Sequence, residues 1–275
     1  MLWLRELNPD KPQVGLVATL HDPAGCMLPF LPRCLPLLTT LYHSLSVIVT
    51  PETAPELLAE LAQAGVELLP EGTPEIGVNR RQALALGLAH KENVAFHYCD
   101  FDRLLYWVLH EPAELCRLIT EAMPPAGYLA LGRTPEAFAS HPLVQLQLES
   151  LTNQVFSHIF GAEMDVTAGS CAFTRPVAEF LLAHSTEPTN ATDTEWPMLV
   201  RFVAGAEMPV HYQAVAGLAF ETATFHGADV FRRADNPQNW RRRTILARDS
   251  IAAALRLDPG GRQAPAAIGG PMSAG

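Results

Sequence analysis

The chain has 275 residues, is 48% hydrophobic and 17% charged, and carries a net charge of −10 at neutral pH. That balance buries a sizeable core in one large domain and argues against a nucleic-acid backbone as partner. No apolar run approaches the roughly 20 residues of a membrane span, and residues 1–7 are too short and too charged for a signal peptide, so a cytoplasmic protein is expected.

Val14–Leu20 is a continuous apolar run, the pattern of a strand buried on both faces. His21 to Gly25 breaks it, and residues 27–41 read as a helix whose start is made irregular by Pro29, Pro32 and Pro36. A second strand is predicted at 46–50 and a helix at 53–64, closed by Gly65. Residues 66–70 predict a third strand, 77–90 a helix and 94–100 a fourth strand. Short alternation of strand and helix predicts an α/β fold, a mostly parallel, Rossmann-like central sheet with helices on both faces. Ligands in such sheets bind outside the carboxyl ends of the strands.

The second half reads as a helix at 112–122, a strand at 127–133, and a long amphipathic helix at 141–160. Residues 165–173 are small and loop-like, followed by a helix at 176–184. Further on come a helix at 193–203, a strand at 209–218, a loop at 220–229 and a basic-faced helix at 236–257. Residues 258–275 are rich in Gly, Pro and Ala and are expected to be a disordered tail on a single 1–257 domain. Cys26, Cys34, Cys99, Cys116 and Cys171 form no CxxC pair, which points to free thiols in a reducing compartment.

The fourth strand ends in Asp100-Phe101-Asp102. In extended chain, residues two apart share a side, so two carboxylates facing one spot would suit a hard divalent cation, Mg²⁺ or Mn²⁺. The plainer alternative is an acidic turn in which Asp102 caps a helix starting near Leu104. Asn79, Arg80 and Arg81 open the helix after the third strand, where backbone N–H groups and guanidinium groups can receive a diphosphate; otherwise this is a solvated helix start. Thr19 and Thr50 at the first two strand ends join the donor-binding candidates. Gly169 and Ser170 lie in a small-residue turn that lets a sugar approach the backbone, or form an ordinary tight loop. Asp193 and Glu195 open a helix, either as a base facing an acceptor hydroxyl or as ordinary first-turn acids. His226 sits in a late loop, with Glu221 and Asp229 as local rivals for a metal-ligand role.

In this order, these landmarks resemble the nucleotide-sugar glycosyltransferases of the GT-A fold, nearest to the retaining mannosylglycerate-synthase-like enzymes. The resemblance spans about residues 14–229. It implies a GT-A-like single domain and a sugar transfer from a UDP- or GDP-type nucleoside-diphosphate sugar to the hydroxyl of a small-molecule or glycan acceptor. Mn²⁺ or Mg²⁺ would be held by Asp102 chiefly, with Asp100 on metal or ribose and His226 as a third protein ligand. An imidazole in the set favours manganese. Gly169 and Ser170 would lie under the donor sugar, and Asp193 or Glu195 near the acceptor or the sugar hydroxyls. The His21-Asp22-Pro23 loop departs from the usual family signature, so the base of the donor stays open, as does the oligomeric state, with a homodimer among the options. Two other readings stand beside this one. A sugar-phosphate nucleotidyltransferase would carry a Gly-rich basic loop after the first strand, where His21 to Gly25 has no Lys or Arg. A non-catalytic nucleotide-sugar-binding protein would share the fold alone.

Overall fold

The apolar run Val14–Leu20 forms a strand, β1, that is buried on both faces as its composition demands. Its side chains divide by alternation. Val14, Leu16, Ala18 and Leu20 enter one core and Val17 enters the other. The structure, a computed structural model, describes residues 13–123, 127–227 and 236–260.

After β1 come α1 (Leu31–Leu41), β2 (Ser44–Val49), α2 (Pro55–Gln63), β3 (Glu67–Leu69), α3 (Ile76–Leu88) and β4 (Ala95–Cys99). The chain continues through α4 (Phe101–His110), α5 (Pro112–Arg117), β5 (Tyr128–Arg133), α6 (Pro135–Ala139), α7 (Leu143–Phe160) and β6 (Ser170–Thr174). It ends with α8 (Arg175–His184), α9 (Thr192–Leu199), β7 (Val210–Val215), α10 (Thr222–His226) and α11 (Pro237–Leu257). Among the described residues seven strands form one sheet in the order β3-β2-β1-β4-β6-β5-β7. β1 to β4 run parallel, β6 runs antiparallel to both its neighbours, and β5 pairs parallel with β7. One face packs α1, α2 and α4 around Leu38, Leu57 and Trp107. The other packs α3, α7, α8, α9 and the end of α11 around Phe96, Phe156 and Trp196. The expected single mostly parallel α/β sheet with helices on both faces is the observed architecture.

Four local expectations are corrected. Residues 170–174 form a central strand, not a loop. Ser170, Cys171, Ala172 and Phe173 are small or apolar enough to be buried between β4 and β5. The fourth strand stops at Cys99, Asp100 takes the N-cap position and α4 begins at Phe101. Asp102 therefore lies in the first turn of a helix, not in extended chain, and it does not hold the cap position. The long helix expected at 141–160 is preceded by a separate short helix, α6. Residues 222–226, read as loop, form α10. The expected tail beyond residue 260 lies outside the described residues. Among the described residues no helix is long and apolar enough to cross a membrane, and the five cysteines are free thiols.

Candidate functional site

A cavity of about 500 Å³ opens where the parallel strands end, within the size range of small-molecule sites. Thr19 from β1, Thr50 after β2, and Asp100 and Asp102 after β4 all line it. Asn79 and Arg80 of α3, Gly169 before β6, and Asp193 of α9 join them. With Glu221, the rival to His226, nine of the candidate residues singled out in the sequence thus meet in one place.

Asp100 is the hub. Its Oδ1 accepts a hydrogen bond of 2.5 Å from the Tyr98 hydroxyl and a longer one of 3.5 Å from Thr19 Oγ1. Arg80 Nη2 lies 3.6 Å from the same oxygen, and Arg103 Nε lies 3.8 Å from Oδ2. Arg80 is buried. Its Nε donates to Tyr98 at 2.8 Å, and its Nη1 donates to Thr192 Oγ1 at 2.7 Å and to the carboxylate of Asp193. Burial disfavours the Arg80 charge, but Asp193, Tyr98 and Asp100 hold it protonated. Arg80 thus cross-links two acids of the cavity wall. Burial pushes the Asp193 carboxyl up to about 6, against the pull of Arg80.

The donor-side residues are not equally available. Both ends of the Asn79 amide hold the loop before α3: Oδ1 accepts from Thr73 N and Nδ2 donates to Thr73 O, each at 2.8 Å. Thr50 Oγ1 sits 2.7 Å from His21 Nδ1. The start of α3 is covered by the 187–189 segment. Gly77 N donates to Pro188 O at 2.9 Å, and a Cβ on Gly77 would stand 2.1 Å from Glu187 O. The Gly77 N–H is therefore not open to a diphosphate.

Three of the sequence candidates lie outside the cavity. Arg81 donates to Glu187 O at 2.6 Å and pins the same covering segment. Ser170 faces inward, donating to Tyr98 O at 3.1 Å beside His97 Nε2 at 3.0 Å. Glu195 is buried and accepts from Ser185 Oγ at 2.5 Å and from the backbone N–H groups of Thr186 and Glu187, each at 3.1 Å. Its charge is spent on holding a loop. Of the two acids at the start of α9, Asp193 alone faces the cavity. The side chain of His226 lies outside the described part of the structure.

Glu221, a rival to His226 in the sequence reading, lines the cavity from the turn before α10. Other cavity residues were missed: Arg103 from α4, Glu149 from α7, and Arg242 and Arg243 from α11. The signal for the last two was present in the basic face of 236–257, but nothing local tied that face to the strand ends. Behind the cavity, Arg133 forks onto Asp165, with Nε to Oδ2 at 2.7 Å and Nη2 to Oδ1 at 2.8 Å. Its Nη1 donates to Glu149 at 2.7 Å. Asp165 is held at about 2: burial works against its charge, and the Arg133 hydrogen bonds outweigh it. This fork anchors the 165–169 segment that brings Gly169 against Asp100.

The acids facing the cavity supply only carboxylate oxygens, the hard donors that Mg²⁺ and Mn²⁺ take. Burial raises the Asp102 carboxyl to about 7, and the charges of Glu221 and then Asp100 add to the rise. Glu221 Oε2 is buried with no hydrogen-bond partner. The cavity gathers Asp100, Asp102, Glu149, Asp193 and Glu221 against Arg80, Arg103, Arg242 and Arg243. Among the described residues Asp102 and Glu221 are the two of these acids with no arginine partner within 4 Å, and a divalent cation suits such carboxylates. Among the described residues no three His, Cys, Asp or Glu side chains already converge on one point. One or two carboxylates with substrate phosphates and water is the usual Mg²⁺ arrangement.

Solved structures share this architecture. Glucosyl-3-phosphoglycerate synthase from Mycobacterium tuberculosis in complex with UDP superposes with a TM-score of 0.54 at 14% identity, covering 89% of this chain and 79% of that one. The same enzyme with Mn²⁺, UDP and phosphoglyceric acid gives 0.54 at 12% identity over 90% and 78% of the two chains. With Mn²⁺, UDP-glucose and glycerol 3-phosphate it gives 0.54 at 14% identity over 89% and 79%. No protein-family model matches this sequence, and no curated protein matches it. The likeness establishes the fold. The chain has the GT-A fold of that mycobacterial synthase, as its sequence landmarks imply.

Proposed function

We propose that the chain is a metal-dependent glycosyltransferase that moves a sugar from a nucleoside-diphosphate sugar, of the UDP or GDP type, to an acceptor hydroxyl. The observation that carries this reading is the convergence of Asp100, Asp102 and Arg103 in one cavity at the carboxyl ends of β1, β2 and β4. The UDP, UDP-glucose and Mn²⁺ held by the mycobacterial synthase of the same fold support it. Asp102 is the main protein ligand for Mn²⁺ or Mg²⁺, Asp100 contacts metal or ribose, and His226 is a further ligand. When bound, the cation supplies positive charge against the developing charge of the departing diphosphate. Arg103 is the cation this chain adds. Its Nη1 has no hydrogen-bond partner and its Nε already leans on Asp100, so it is free to donate to a phosphate oxygen.

Arg80 acts through Asp100 and Asp193, fixing both carboxylates from behind. Gly169 leaves its α-carbon bare beside Asp100 and lets a donor sugar lie close. Asp193, held by Arg80, orients a sugar or acceptor hydroxyl. Burial leaves Asp193 more basic than an ordinary carboxylate despite Arg80, so a retaining outcome rests on the resemblance to the mannosylglycerate-synthase-like enzymes. There the acceptor attacks from the face of the departing phosphate and no protein base is required.

Thermal melting with UDP, GDP and CDP, each with and without Mn²⁺, tests the reading. One diphosphate at about 100 times its Kd should stabilise the protein by about 2.7 kcal/mol with Mn²⁺ and far less without. Stabilisation by a nucleoside triphosphate with a sugar phosphate instead would support a nucleotidyltransferase. No response to any diphosphate with Mn²⁺ overturns the proposal.

A further inference from the structure

Glu221 stands at the N-cap position of α10, yet its side chain makes no capping hydrogen bond. It is 6% exposed and lines the cavity. Its Oε1 accepts a bond of 3.1 Å from the neighbouring Thr222 hydroxyl, and its Oε2 is buried without a partner. A carboxylate oxygen held out of water with nothing to accept from is costly, and native structures keep such groups where a ligand completes them.

The backbone that carries Glu221 is fixed on both sides. Phe220 N donates to Ser140 Oγ at 2.8 Å, and the Phe220 ring lies 5.3 Å from that of His141. Phe225 packs edge-on against Phe30 at 5.2 Å. The carboxylate is thus aimed, not loose. Asp102 lines the same cavity. Arg103 shares the neighbourhood, but it and Glu221 form no ion pair within 4 Å among the described residues.

We propose that Glu221, contributed from the segment after β7, would join Asp102 as a protein ligand of the divalent cation. The inference rests on the glycosyltransferase reading for the presence of a metal, and adds a residue to it. Two carboxylates from segments more than a hundred residues apart, with diphosphate and water in the other positions, form an oxygen-rich shell suited to Mg²⁺ as well as Mn²⁺. The site then depends less on an imidazole, and its preference for manganese is weak.

The test titrates Mn²⁺ alone into the full chain, followed by the loss of the free Mn²⁺ electron-spin-resonance signal, and repeats it with UDP. Wild type, D102N, E221Q and E221D are compared, each melted without metal. E221Q is expected to weaken Mn²⁺ binding at least about tenfold and to leave the metal-free melting temperature equal to or above that of wild type, since a buried charge is removed. E221D should bind with intermediate affinity. In wild type carrying ¹³C at the glutamate side-chain carboxyl, bound Mn²⁺ should show a ¹³C coupling that E221D loses, a readout independent of how well E221Q folds. If E221Q and E221D bind Mn²⁺ as wild type does while D102N does not, Glu221 is not a ligand and the metal-dependent reading stands. If E221Q lowers metal-free stability and leaves Mn²⁺ affinity unchanged, Glu221 serves to balance Arg103 and the proposal is wrong. If wild type binds no Mn²⁺ with or without UDP, both proposals fall.

Discussion

Gly169 presses its α-carbon against the carboxylate of Asp100. A Cβ at position 169 would stand 2.8 Å from Asp100 Oδ2, and the two residues are also joined by a 3.3 Å hydrogen bond from Asp100 N to Gly169 O. Gly169 further holds φ at +67°, a left-handed conformation that side chains disfavour. Gly169→Ala therefore meets strain and a clash at once. It should destabilise the fold by about 1–3 kcal/mol and displace Asp100, weakening Mn²⁺-dependent nucleotide binding. Calorimetric melting and a nucleotide titration read both effects. A neutral result would mean that the 165–169 segment yields freely.

The two acids at the start of α9 should separate cleanly. Glu195→Gln turns a donor toward the Ser185 hydroxyl and weakens the 185–187 segment, so it should cost stability by about 1–3 kcal/mol with nucleotide affinity intact. Asp193→Asn leaves the fold near its original stability or moderately weakened, but frees Arg80 and should lower transfer activity severely. The reverse pattern, with activity lost in Glu195→Gln alone, would reassign the acceptor-side acid.

Two histidines set a pH dependence. His97 is fully buried, and burial lowers it to about 3; burial and then Arg133 bring His141 down to about 4. The Ser170 hydroxyl donates to Tyr98 O, so it accepts from His97 Nε2–H, and Nδ1 accepts the Tyr42 hydroxyl at 2.6 Å. The ring is therefore neutral in the fold. An unfolded chain takes up these protons below about pH 6.5. Both folded values lie under the unfolded one, so this stability is full above pH 6.5 and drains as pH falls toward 4 and then 3. Asp102 and Asp193, raised to about 7 and about 6 in the fold, pull the other way over this range, so the histidine part is read as a difference: the wild-type urea midpoint should fall relative to that of His97→Gln between pH 7 and 4.5. A constant difference over that range would contradict a neutral buried ring.

Arg133→Lys replaces a forked guanidinium with a point charge. Asp165 and Glu149 would lose at least part of their hydrogen bonding in a buried place, a change worth about 3–5 kcal/mol when such pairs are broken. Amide exchange at residues 167–169 should accelerate with it. Unchanged exchange there would show that Arg133 does not anchor the segment under Asp100.

What the sequence made legible was the parallel half. β1 is an uninterrupted apolar run, and β2 and β4 are mostly apolar, broken only by Ser44, Ser46 and His97, because helices cover both faces of the sheet, and such runs stand out in any reading. β6 did not stand out. Ser170 to Thr174 is five residues of small and apolar character after a glycine, and only its neighbours, β4 and β5, make it a strand. Polar candidates divided on similar grounds. Asp100 and Arg80 were marked by position at a strand end and a helix start. Arg81 and Glu195 carried the same local signal but are used up holding the 185–187 segment, Arg81 from about a hundred residues away in the chain and Glu195 from the helix that follows it. Arg103, Glu149 and Arg243 come from three separate helices, α4, α7 and α11, and no spacing in the sequence announces that they share a cavity.

The reversed strand has a consequence for how the protein is made. β6 occupies the slot between β4 and β5, so the open edge of β4 has no partner until residue 174 has been synthesised. The emerging chain carries that bare edge, flanked by Phe96 and Tyr98, through some seventy residues of translation. Exposed hydrophobic edges are where nascent chains pair with one another. A ribosome that stalls between α4 and β6 would leave a sticky half-sheet, and a chaperone acting on this protein would be needed most during that interval.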